Sequence, residues 1–191
     1  MRLYVLIYGT DPTRIYIYQE GLARFATEPY EKAKKKNLKE TFVHLTNYAI
    51  NKNNKKFIFN TSEKSMHVGH KRSLTSIFNL LKTRGVDINS IQAKIDSLIV
   101  KTLLVGKPML NHLYGLSQTD NLANDHCFHI LGFDVMLDEH LEPLLLEVNH
   151  TPSFATDTPL DKSIKKGLIK ETFLLLNVNI QTKKAKIDKK K

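Results

Sequence analysis

The chain has 191 residues, 41% of them hydrophobic, one cysteine and a formal net charge of +10. That size and apolar content suffice for one domain with its own core, while the lone Cys127 excludes an intramolecular disulfide and suits a reducing compartment. No window approaches the roughly 18 uncharged apolar residues of a membrane span, so no membrane insertion is expected.

The charge implies an acidic partner, and it is clustered. Lys32, Lys34, Lys35, Lys36 and Lys39 form one group, and Lys52, Lys55 and Lys56 a second. Lys183, Lys184, Lys186, Lys189, Lys190 and Lys191 end the chain. Aromatic residues do not interleave these clusters, and single-stranded bases need such residues to stack on. Nucleic acid is therefore not the expected partner.

The opening MRLYVLIYGT has an apolar run without a signal-peptide cleavage site, and 3–8 reads as a strand. Asp11-Pro12 signals a turn, and the Ile/Tyr alternation of 14–18 predicts a second strand. Gly21 is expected to break it, with a third extended piece starting at Ala23. Residues 29–40 are Lys-rich and read as a surface loop or short helix. VHLTNYAI, at 43–50, is too polar at its centre for a buried strand, and 51–65 is expected to be mobile. Ser73 predicts the cap of a helix through Leu74, Ile77, Phe78 and Leu81, stopping at Gly85. Asn89 or Ser90 is expected to cap the next helix, which carries Ile91, Ile95, Ile99 and Leu103; 115–126 read as a loop. Residues 127–137 and 143–148 predict a hairpin turning at 138–140. A last amphipathic helix is expected over 163–178, with Ile164, Leu168, Ile169, Phe173 and Leu176 apolar. The basic residues 179–191 are expected to be a disordered tail. Together these elements predict an α+β fold with a mainly antiparallel sheet flanked by helices.

The predicted hairpin carries the chemistry. Asp134 lies in an apolar strand, and Glu147 and Asn149, two residues apart, share one face of the next. A carboxylate among Leu144, Leu145, Leu146 and Val148 costs several kcal/mol unless paired, and nothing local is basic. Three oxygen donors on neighbouring strands suit a hard cation such as Mg²⁺. If the strands are edges, the acids simply face water.

LGFDVMLD followed by LLLEVNHTPSF resembles the metal-binding strand pair of ATP-grasp ligases. Together with RLYVLI, GLARF and HLTNYAIN, it resembles the tubulin-tyrosine-ligase-like family over roughly residues 2–178. The resemblance implies a partial ATP-grasp catalytic domain over 1–178. It implies an ATP-dependent carboxylate–amine ligase that adds free L-glutamate to glutamate side chains of acidic tubulin C-terminal tails on microtubules. A ligase adding glycine or tyrosine, or a catalytically inactive tubulin-binding module, would carry much of the same sequence.

By the same resemblance, Asp134, Glu147 and Asn149 hold Mg²⁺ against ATP, and Glu147 is counted with the catalytic residues. Arg2 and Arg24 face the transferring phosphoryl group, a task suited to the two-pronged guanidinium. Thr46 and Asn47 contact phosphate or substrate, although a local turn or cap would also explain them. His150 reaches the substrate beside the metal and marks the chain-lengthening type. The other histidines, His129 among them, lack metal-ligand spacing. Family members carry a Lys and an Asp just before the position of Arg2, and a nucleotide-binding part before those. The adenine-gripping side of the cleft is therefore not expected among these residues, as in a fragment, a mispredicted gene product or a degenerate paralogue. The implied location is cytoplasmic, on the cytoskeleton, the cilium or basal body included.

Overall fold

The computed structural model describes residues 1–62, 65–117 and 127–177. It is α+β: a five-stranded antiparallel sheet flanked by helices. In chain order the elements are β1 (Arg2–Tyr8), β2 (Arg14–Arg24), α1 (Thr41–His44), α2 (Tyr48–Asn51), β3 (Lys71–Ser73), α3 (Leu74–Thr83), α4 (Ile88–Ser117), β4 (Phe128–Leu137), β5 (Pro143–Asn149) and α5 (Pro159–Leu175). The sheet order is β3-β2-β1-β4-β5.

The run LYVLI is apolar throughout because β1 is central and covered on both faces. Side chains alternate along a strand, so Leu3 and Val5 enter one core with Phe78 of α3 and Ile91, Ile95 and Ile99 of α4. Tyr4 and Leu6 enter a second core with Leu160, Ile164 and Leu168 of α5. Arg2 follows the parity of Tyr4 and Leu6, which places it on the α5 face.

Four expectations need correction. Gly21 does not end a strand; β2 runs through it to Arg24. A Cβ there would stand 2.5 Å from the Arg2 carbonyl oxygen, so glycine serves the close approach of β1 and β2. Asp87, not Asn89 or Ser90, caps α4, its Oδ1 accepting from the amides of Asn89 (3.0 Å) and Ser90 (3.3 Å). That helix continues through Pro108 to Ser117, taking in residues read as loop. In α5, Leu160 belongs to the core and Phe173 is exposed.

The cap expected at Ser73 is present, its side chain accepting from Ser76 N–H at 3.1 Å. Gly85 follows α3 with φ +81°, a value that favours glycine. The basic tail at 179–191 lies outside the described residues.

Candidate active site

The site is built by strand register. Arg2 pairs with Asp134 across β1 and β4, Asp134 with Glu147 across β4 and β5, and Arg24 with Lys71 across β2 and β3. Directly opposed residues point to the same face, so Arg2, Asp134 and Glu147 form one charged row on the α5 side; Leu22 of β2 opposes Arg2, and the Arg24–Lys71 pair lies on the same face two residues further along β2. A register shift between Asp134 and Val135 falls at the middle of the row, a place where a bulge re-aims side chains.

Asp134 does find a basic partner, from the far end of the sequence. Arg2 Nε donates to its Oδ1 at 2.5 Å and Nη2 to its Oδ2 at 2.9 Å. Burial pushes the Asp134 carboxyl upward, but the Arg2 hydrogen bonds and charge, with Arg24 behind them, hold it below its ordinary value. The fork of Arg2 is thus committed to Asp134. Glu147 lies opposite on β5, and Asn149 Nδ2 donates to Glu147 Oε1 at 2.9 Å, leaving the amide oxygen as an acceptor. The expectation that β5 is a buried strand fails. Among the described residues it is an edge paired with β4 alone, and Leu144, Leu145, Leu146 and Val148 are 36–58% exposed.

Five of the candidate residues meet in one cavity of about 200 Å³. Arg24, Thr46, Asn47, Asp134 and Glu147 line it, with Met1 and Leu146. That is below the roughly 300–1,000 Å³ of pockets for drug-sized ligands, the size for a group rather than a whole nucleotide. A larger cavity of about 490 Å³ lies between β2, α3 and α4, lined by Phe78, Lys82 and Gln92 among others, and contains none of the candidates.

Arg24 Nε is buried without a hydrogen-bond partner among the described residues. A buried charged donor left unpaired is costly, and an anion in the cavity would satisfy it. Asn47 stands at the N-cap of α2 but makes no side-chain capping bond, so the turn-or-cap alternative does not account for it. His150 is exposed and does not line the cavity; its carbonyl is held by His129 Nε2 at 2.5 Å. His44 Nε2 lies 3.0 Å from the Asn37 carbonyl, a structural contact.

The donor types fit Mg²⁺ with phosphate: the carboxylates of Asp134 and Glu147, on paired strands, line the cavity with Arg24, whose Nε is unsatisfied among the described residues, while Asn149, joined to Glu147, and Arg2, joined to Asp134, are not among the residues that line it. A Cβ on Gly132 would stand 3.0 Å from Pro152 Cβ and 3.2 Å from Arg2 Nη1. Gly132→Ala is therefore expected to push Arg2 off Asp134 and cost about 1–3 kcal/mol by overpacking. Urea unfolding measures it, and an unchanged midpoint would remove Gly132 from the site's construction.

Sequence reading missed the groups that support this row. Lys71 Nζ donates to Asp161 Oδ1 and Oδ2 at 2.6 and 2.5 Å and lies 4.8 Å from the centre of the Tyr48 ring. Thr158 Oγ1 donates to Asp161 Oδ2 at 2.7 Å and accepts from Asp161 N–H at 3.2 Å. Lys165 Nζ is 3.5 Å from Asp161 Oδ1 and also donates to the Ala155 carbonyl. The cluster pins the segment after β5 to α5 and β3. Its sequence signal was Thr158-Pro159-Leu160-Asp161, a helix-start pattern with proline at the first helical position.

A profile of the Tubulin-tyrosine ligase family matches residues 1–187. The chain belongs to the tubulin-tyrosine ligase family. It is 51% identical over 190 residues to a probable beta-tubulin polyglutamylase of Tetrahymena thermophila, covering 100% of this chain and 16% of that protein. It is 41% identical over 191 residues to tubulin polyglutamylase TTLL6 of Mus musculus, covering 100% of this chain and 23% of the relative. Tubulin polyglutamylase TTLL7 of Xenopus tropicalis is 38% identical over 193 residues, at 100% and 21% coverage. The chain thus spans 16–23% of the length of these family members.

Proposed function

We propose that this protein acts as an ATP-dependent carboxylate–amine ligase that adds glutamate to glutamate side chains in tubulin C-terminal tails and lengthens existing branches. The observation that carries the chemistry is the cavity where Asp134 and Glu147 face the unpaired Nε of Arg24. The choice of glutamate and tubulin is supported by similarity to proteins named tubulin polyglutamylases.

In this reading the acceptor's γ-carboxylate takes the terminal phosphoryl group of ATP, and ADP leaves. The amine of free glutamate then attacks the acyl phosphate, an amide bond forms and phosphate departs. Asp134, Glu147 and Asn149 supply the oxygens that would hold Mg²⁺, whose charge offsets that of the phosphates when bound. Arg24 donates to the phosphoryl oxygens, and Thr46 and Asn47 orient them. Arg2 holds Asp134 ionised and in place. His150 receives the branch from outside the cavity. The exposed lysines at 32–39 and 52–56 draw in the acidic tail on a microtubule in the cytoplasm, so association weakens with salt.

The test offers the full-length gene product tubulin-tail peptides with and without a preformed γ-linked glutamate, with products read by mass. Glutamate added to the branched peptide in preference is expected. Equal use of both would sink the lengthening claim, and glycine or tyrosine products, or none, would sink the glutamylase reading.

A further inference from the structure

Residues 51–65 read as a mobile polar stretch, yet Asn51 is 0% exposed and all its amide hydrogen-bonding atoms are engaged. Its Nδ2 donates to the carbonyls of Leu45 at 2.7 Å and Asn47 at 3.1 Å. Those carbonyls bracket the Thr46–Asn47 loop. Its Oδ1 accepts from the Thr27 amide at 3.0 Å and the Thr27 hydroxyl at 3.1 Å. Thr27 is buried, stands three residues beyond Arg24, and its hydroxyl also accepts from Asn54 Nδ2 at 2.8 Å. One side chain therefore joins the two walls of the cavity, the end of β2 that carries Arg24 and the loop that carries Thr46 and Asn47.

We infer that Asn51 is a positioning residue that sets the Thr46–Asn47 loop against Arg24. The short helices on either side, four residues each, cannot fix the loop by themselves. The Asn47 carbonyl also accepts from the backbone amides of Ile50 and Asn51, so the bond from Asn51 Nδ2 to the Leu45 carbonyl is the one that ties down the loop's other end. Only an uncharged amide offers two donors toward the loop and an acceptor toward Thr27 in one planar group. The functional consequence rests on the ligase reading; the structural one does not.

Asn51→Asp tests it in the full-length gene product. It has the same shape and keeps the acceptor for Thr27, but loses both donors to the loop. Thr27→Val is the contrast, because it removes the hydroxyl's bonds to Asn51 Oδ1 and from Asn54 Nδ2 and leaves the loop's donors. Asn51→Asp is expected to lower kcat by about 10²-fold, the scale of a small misplacement of reacting groups, with Thr27→Val within about threefold of wild type. Hydrogen exchange at the amides of 45–48 is expected to quicken at least about tenfold in Asn51→Asp alone, as local opening becomes easier. Exchange and kcat matching those of Thr27→Val would overturn the inference, as would faster exchange with undiminished turnover. If the wild type has no turnover, the ligase reading fails and the exchange result alone decides the role of Asn51. If Asn51→Asp does not fold, Asn51→Ser, which keeps a single donor, is read by the same two measurements.

Discussion

Glu147→Gln in the full-length gene product is expected to lower ligase turnover by at least about 10²–10³-fold, the scale of losing one preorganised electrostatic group. Glutamine keeps the shape and the acceptor for Asn149 but removes the charge that balances a cation and, with Asp134, defines the site. Because Glu147 is exposed on an edge strand, stability is expected to change by no more than about 0.5 kcal/mol. Turnover measured beside a thermal melt separates the two effects. Undiminished product formation with an unchanged melt would remove Glu147 from the mechanism.

The second large effect lies beneath the site. Asp161 is 1% exposed and ion-paired to Lys71, so Asp161→Asn leaves a buried ammonium without its counter-charge. The expected cost is about 3–5 kcal/mol, a large part of a domain's usual 5–15 kcal/mol or so. Adding Lys71→Met removes the nearer of two stranded charges, Lys165 keeping its bond to the Ala155 carbonyl, and is expected to restore about half of the loss, since apolar isosteres often replace buried pairs without penalty. Urea unfolding of the single and double variants decides it; no recovery would mean that the pair is not the source.

The same residue sets a pH dependence. Burial raises the Asp161 carboxyl, but the Lys71 and Thr158 hydrogen bonds and the lysine charges outweigh it, so its folded value lies below the ordinary one. Its contribution is therefore complete above the unfolded value of about 3.9 and is lost as pH falls through the lowered folded value. Asp134 shifts in the same direction. Melting midpoints of Asp161→Asn are expected to fall less steeply than wild type on the acid side, without becoming flat.

What was legible in the sequence follows from period and punctuation. The apolar run of β1, the two-residue alternation in β2, the Ser73 cap and Gly85 are local signals, and the structure repeats them. Asp134, Glu147 and Asn149 stood out because polar groups in an apolar hairpin are costly. Pairing between distant segments was not legible. Nothing near Asp134 announces Arg2, which meets it through the β1–β4 register, and nothing near Lys71 announces Asp161. Asn51 was misread for the opposite reason: Asn in a run of Asn and Lys looks like a loop, and only tertiary contacts bury it. The exposure of β5 was missed because an apolar strand implies cover, and a strand's position in a sheet is not written in its own residues.

The most direct test of the ligase chemistry uses an acceptor peptide whose γ-carboxylate carries a heavy-oxygen label. The peptide is incubated with the full-length gene product, MgATP and glutamate. If the carboxylate is activated by phosphorylation and then displaced by an amine, one labelled oxygen leaves in inorganic phosphate for every amide bond formed. That transfer is the result expected. Amide formation with phosphate free of label would contradict the account.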